Sequence, residues 1–209
     1  MFKSNSYSRK LTAETIFSLI QKHNVTHFGG APIILGMLVN ARKEIQFKPN
    51  WPVQVMTAGA PPPAAILQKI EALGFNVMQV YGLTETYGHV VQCVWQDKWD
   101  ILEFAEQAII KAQQGVQFTH TELVDVLDRE TNEPVPADGL TIGEIVVRSN
   151  TIMKGYHKNR KATEDSLADG FLRSGDLAVR HQSGYVEIKD RLKDIICLLY
   201  TSDAADDRS

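Results

Sequence analysis

From Leu11 to Tyr81 the apolar positions alternate between helical and strand spacing. "TAETIFSLIQKHN" places Ile16, Leu19 and Ile20 on one face behind Thr12, a hydroxyl suited to an N-cap. "VTHF" is a short β-rich run, and "APIILGMLVNAR" reads as a mostly apolar helix with Pro32 near its start. "VQVMTA" predicts the next strand. "PPPAAILQKIEALG" carries prolines in its first turn and ends at Gly74, a C-cap signal, before a third strand at "NVMQVY". A strand-helix-strand-helix-strand series predicts a parallel sheet, because parallel neighbours need a crossover.

Each predicted strand ends in a small-residue loop: "GGAP" at Gly29–Pro32, "AGAPPP" at Ala58–Pro63 and "GLTETYG" at Gly82–Gly88. Loops that follow parallel strands share one sheet edge, where ligands bind. Glycine there suits close approach of backbone to a ligand, and equally suits a tight turn. After about residue 115 the rhythm changes. "HTELVDVLD", "GEIVVRS" and "DLAVRHQSGYVEIKDR" are short strand patterns separated by "PADG", "ADG" and "QSG", which predicts an antiparallel, barrel-like region.

Composition narrows the classes. The 209 residues allow one large domain or two small ones, and 44% hydrophobic content supports a core. A formal net charge of -3 argues against general binding to nucleic acid or anionic membranes. No apolar run approaches the ~20 residues of a membrane span, and "MFKSNSYSRK" lacks the apolar middle of a signal peptide. The two cysteines, Cys93 and Cys197, lack metal-ligand spacing, which fits a reducing compartment. A soluble, cytoplasmic protein is expected. Its oligomeric state is left open.

The chemistry-bearing residues follow the third strand. Thr84, Glu85 and Thr86 offer hydroxyls, backbone N–H groups and a carboxylate, a set that suits a phosphate and Mg²⁺. Tyr81 offers a flat face to a base. The same residues also suit an ordinary strand end with a solvated Glu. In "RSGDLAV", Asp176 can accept hydrogen bonds from a ribose diol, or simply close a Ser-Gly-Asp turn at the start of a strand. Arg191, within "KDRLKD", can reach a phosphate or ribose oxygen, or belong to a solvated charge run. His27, His89, His120, His157 and His181 show no zinc spacing. The sequence marks no activating group beside either cysteine, and the three tryptophans read as packing residues.

The order of the motifs adds to this. "TAGAPPPAAI", "YGLTET", "GEIVVRSNTIMKGYHKNRKATEDSLADGFLRSGDLAV" and "GYVEIKDRLKDII" together resemble the adenylate-forming acyl-CoA synthetases, over about Leu11–Ile196. "TYGHVVQCVWQDKWD" looks closest to the branch acting on short- or medium-chain and methylthio-alkanoic acids. The resemblance implies activation of a carboxylic acid by ATP and transfer to coenzyme A, with Mg²⁺ as the metal. It implies that Gly59, Ala60 and Pro61 border the adenine, with Tyr81 and Gly82 alongside, and that Thr84 touches the α-phosphate. Glu85 would hold Mg²⁺, Asp176 the ribose hydroxyls, and Arg191 ribose or phosphate. His27, Phe28, Gly29, Gly30 and Val80 would line the acyl pocket, and Lys193 would be the hinge. Some positions depart from the pattern. "RSGD" replaces an aromatic or His followed by Thr-Gly-Asp, and His89 stands where proline is usual.

The expected organisation is a poorly matching stretch at 1–10, an α/β AMP-binding segment at 11–115, an antiparallel subdomain at 116–192 and a hinge at 193–196. The family's Gly/Ser/Thr-rich phosphate loop has no match here. "CLLYTSDAADDRS" at 197–209 stands where a Ser-Gly-Gly-Glu-Asn-like run would continue, and its first ten residues resemble a translated sequencing adapter. A fragment of an acyl-CoA ligase, inactive alone, is the expectation. The alternatives are a truncated nucleotide-binding module and a remnant without a ligand.

Overall fold

The computed structural model describes residues 11–59 and 62–192. In chain order the elements are α1 (Ala13–His23), β1 (His27–Gly29), α2 (Pro32–Val39), β2 (Val53–Ala58), α3 (Ala64–Ala72), β3 (Phe75–Leu83), β4 (Gly88–Gln92), α4 (Phe104–Ala112), β5 (Val116–Gln117), β6 (Leu123–Leu127), β7 (Gly143–Arg148), α5 (Arg160–Ser166), β8 (Leu172–Arg180) and β9 (Val186–Arg191). One-turn 3₁₀ helices occupy Thr84–Thr86 and Asp97–Trp99.

These elements form two compact units. The first takes the described residues up to Gln79 together with Gln96–Ala112, and the second takes Val80–Trp95 and the described residues from Gln113 onward. The boundary therefore differs from a linear division near residue 115. The physical reason lies in β4, which turns back antiparallel on the end of β3 and pairs with β5, so that Val80–Trp95 folds with later sequence.

In the first unit β1 runs parallel to β2, with His27 opposite Gln54, Phe28 opposite Val55 and Gly29 opposite Met56. β2 lies between β1 and β3. Thr12 caps α1 as expected: its Oγ1 accepts from the Thr15 N–H at 3.2 Å. Pro32 opens α2, and Gly74 lies just beyond α3 at φ +88°. β2 alternates buried Val53, Val55 and Thr57 with exposed Gln54, Met56 and Ala58. Only one face of this strand is covered, whereas a parallel strand sandwiched by helices is buried on both. Phe17, Leu35, Leu38, Ile70 and Phe75 fill the core beneath it. Phe17 and Phe28 meet Phe75 edge-on, with ring centroids 6.4 and 6.1 Å apart. α4, absent from the sequence-based reading, is tied to α3 by an ion pair between Lys111 and Glu71.

In the second unit β6, β7, β8 and β9 form an antiparallel sheet in that order, as the short strand patterns predict. β8 and β9 form the hairpin foreseen at "QSG", where the Gly184 N–H donates to the His181 carbonyl at 2.9 Å. The core contains Tyr81, Val90 and Val91 with Val126, Ile145, Val147, Leu172 and Ala178. Gly82 is required by contact. A Cβ there would lie 2.1 Å from the Gly88 carbonyl oxygen, where a register shift between Tyr81 and Gly82 brings β3 and β4 together. Among the described residues no helix is long and apolar enough to cross a membrane.

Candidate functional site

Asp176 lies within β8, opposite Arg191 of β9, and not at the start of a strand. It is 4% exposed. Its Oδ2 accepts from the Tyr81 hydroxyl at 2.8 Å, and its Oδ1 accepts from Arg191 Nε at 3.0 Å. The "RSG" before it is no free turn. The Ser174 hydroxyl donates to the Ile145 carbonyl at 2.7 Å, and the Gly175 N–H donates to Glu144 Oε1 at 3.0 Å. Burying a carboxylate is costly without such partners, and here the phenol and the guanidinium supply them. The Arg191 side chain is 65% exposed, so this ionic end of the site opens to solvent.

Tyr81 belongs to the buried core. Burial and then the neighbouring Asp176 charge hold its phenol well above the usual tyrosine range. It is a permanent donor at neutral pH.

Glu85 sits in the 3₁₀ turn after β3, half-buried, beside exposed Thr84. Thr86 fixes this turn. Its Oγ1 accepts from the Leu83 N–H at 2.9 Å and lies within bonding distance of the Leu83 and Gly88 carbonyls, at 2.9 and 2.6 Å. Thr86 is fully buried and therefore locks the backbone, while Thr84 and Glu85 remain available to a ligand. Glu85 Oε1 accepts from the Tyr156 hydroxyl at 2.8 Å.

In the first unit a cavity of about 450 Å³ is lined by His27, Phe28, Gly29, Gln54, Val55, Met56 and Met78. It brings together three of the five expected acyl-pocket residues and adds two methionines that no motif had marked. Gly30 is absent from its lining. Its N–H continues the β1–β2 pairing to the Met56 carbonyl at 3.0 Å. Val80 is also absent from that lining and is 3% exposed in the second unit. Gly59 has φ +96°, and its carbonyl accepts from Gln79 Nε2 at 2.9 Å. Ala60, Pro61, Lys193 and the expected tail at 197–209 lie outside the described residues.

The AMP-binding enzyme family matches this chain over residues 4–157. The chain belongs to that family. An acetate–CoA ligase of Humulus lupulus (CCL3) is 51% identical over 194 residues, covering 92% of this chain and 34% of the relative. A peroxisomal acetate/butyrate–CoA ligase of Arabidopsis thaliana (AAE7) is 49% identical over 189 residues, covering 90% and 33%. The chain thus spans about a third of the length of these curated relatives. The N-terminal domain of FACL13 from Mycobacterium tuberculosis superposes with a TM-score of 0.72 at 28% identity, over 88% of this chain and 43% of that one. O-succinylbenzoate coenzyme A synthetase from Bacillus subtilis, solved with ATP and magnesium ion, shares the fold at a TM-score of 0.72 and 22% identity.

Asp176 and Arg191 together present an acceptor and a fork of donors, as a ribose bearing a phosphate requires. No group of three or more His, Cys, Asp or Glu side chains able to hold a metal occurs among the described residues. A single carboxylate beside a hydroxyl does fit Mg²⁺, which binds through one or two carboxylates plus substrate phosphates.

The departure at Arg173 also has a structural use. Its guanidinium donates to buried Glu144 at 3.3 Å and to Asn132, and pairs with Asp169 at 3.4 Å.

Proposed function

We propose that this chain carries nucleotide-handling residues of an AMP-forming acid–CoA ligase acting on small carboxylic acids. The observation that carries this reading is the Asp176 clamp: a buried carboxylate held by Tyr81 and Arg191 at a solvent-open edge. In the proposed reaction the substrate carboxylate oxygen attacks the α-phosphorus of ATP. A P–O bond forms to the acyl group, and the bond to pyrophosphate breaks. The coenzyme A thiol, losing its proton, then attacks the acyl carbon and releases AMP.

Asp176 accepts from the ribose hydroxyls, and Arg191 donates to ribose or phosphate. Thr84 donates to the α-phosphate, Gly82 brings the β3 backbone close beside the nucleotide, and Gly59, Ala60 and Pro61 border the adenine. Glu85 holds Mg²⁺, which when bound offsets the charge that a carboxylate meets on approaching a phosphate. Tyr81 was expected to offer its ring to the base. With that ring in the core, the role we assign it is to fix Asp176. The cavity of His27, Phe28, Gly29, Met56 and Met78 takes the acyl chain, and Lys193 serves as the hinge. Its apolar lining and the relatives named for acetate and butyrate favour short aliphatic acids. Two cysteines without disulfide-framework spacing in the sequence favour the cytoplasm, and relatives named as peroxisomal make that lumen the competing compartment. Imaging the tagged natural gene product separates the two.

Substituting Glu85→Ala in the complete natural gene product tests the reading. Acid-dependent exchange of pyrophosphate into ATP should fall by at least about 100-fold, since metal and charge stabilisation are lost together. Exchange at the parent rate refutes the assignment. The 209-residue chain alone is expected to form no thioester. Calorimetry with Mg²⁺ and ATP distinguishes a binding module, which takes up nucleotide, from a remnant, which does not.

A further inference from the structure

Glu85 is held at both ends by one distant loop. The Tyr156 hydroxyl donates to its Oε1 at 2.8 Å, and the Met153 N–H donates to its backbone carbonyl at 2.8 Å. Glu85 Oε2 carries no hydrogen bond among the described residues.

The loop that presents Tyr156 is itself fixed. The Tyr156 N–H donates to Thr163 Oγ1 at 2.9 Å, and the Thr163 hydroxyl donates to the Asn159 carbonyl at 2.8 Å. Asn159 Oδ1 caps α5 by accepting from the Ala162 N–H at 3.1 Å. Gly155, at φ +149°, passes so close to α5 that a Cβ would lie 2.6 Å from Thr163 Cγ2. The phenol is thus aimed by a chain of bonds rather than by its own rotamer preference.

We propose that Tyr156 is a positioning residue for the Glu85 carboxylate, occupying Oε1 so that Oε2 is presented to a divalent cation carried by a nucleoside triphosphate. This rests on the metal role read for Glu85 above. Groups that orient a metal ligand typically change metal affinity by about 10–100-fold when removed.

The test uses Tyr156→Phe in the complete natural gene product, with circular dichroism and melting to verify folding. Calorimetry measures ATP affinity with Mg²⁺ and again in EDTA. The Mg²⁺-dependent gain in affinity should fall by about tenfold while the EDTA value is unchanged. A parallel Glu85→Gln variant separates the two ideas. If Glu85→Gln loses the gain and Tyr156→Phe keeps it, the positioning role is overturned while the metal reading stands. If neither variant loses the gain, both are overturned.

Should the Phe variant fail to fold, 3-fluorotyrosine labelling of the parent keeps the question decidable. The Tyr156 resonance should shift when Mg²⁺ is added to the ATP complex. A resonance that does not respond overturns the proposal.

Discussion

The Tyr81 hydroxyl of β3 donates to Asp176 Oδ2 of β8 across 2.8 Å, joining residues 95 positions apart. Neither group is spare. The carboxylate is buried and needs donors, and the phenol is buried and needs an acceptor.

Tyr81→Phe keeps the ring and removes that donor. Hydrogen bonds to charged groups contribute about 1.5–3 kcal/mol, so urea denaturation should show a loss of about 2 kcal/mol. AMP affinity should fall alongside, because Asp176 is no longer fixed. The pH dependence has a definite sign. The folded phenol pKa lies above the unfolded value of about 10. Its contribution is therefore fully present below pH ~10 and is lost as pH rises beyond it. Stability of the parent should decline above pH ~10 more steeply than that of the Phe variant.

Gly82→Ala should be far more damaging than a surface glycine change. The new methyl would press on the Gly88 backbone carbonyl, with the His89 Cα 2.6 Å away. Backbone cannot swing aside as a side chain can, so a loss of about 3 kcal/mol or more is expected. Melting temperature and soluble yield measure it. A variant as stable as the parent would show that β3 and β4 do not close in this way.

Arg173→Ala should destabilise by about 2 kcal/mol. Glu144 is 4% exposed and would keep Arg129 at 3.5 Å, but it would lose its closer and less exposed guanidinium. Truncating one partner of a buried ion pair strands the other charge. Arg173→Lys should recover only part of this, because a point charge cannot serve Glu144, Asp169 and Asn132 together. Denaturant titration of the two variants checks the order.

Met56→Trp should shrink the cavity of about 450 Å³ in the first unit. If that cavity takes the acyl chain, kcat/KM for butyrate should drop about tenfold relative to acetate. Each methylene in an apolar pocket is worth about 1–3 kcal/mol. An unchanged butyrate-to-acetate ratio would place chain-length selection elsewhere.

Much of the architecture is local in origin and so was legible in the residue pattern. The Thr12 cap, Pro32 at the start of α2 and the β8–β9 hairpin each depend on neighbours a few positions away. The motif order identified the family, and "YGLTET" marked Glu85. Tertiary structure decided the rest. That β4 would turn back on β3, that "RSGD" would lie inside a strand, and that the Tyr81 phenol would hold Asp176 all depend on register between distant segments. A one-residue shift of register reverses which face a side chain occupies, and no local spacing records it. Tyr156 illustrates this most plainly. Its sequence neighbours reveal nothing of Glu85, 71 positions away, and only the packing of its loop against α5 aims the hydroxyl there.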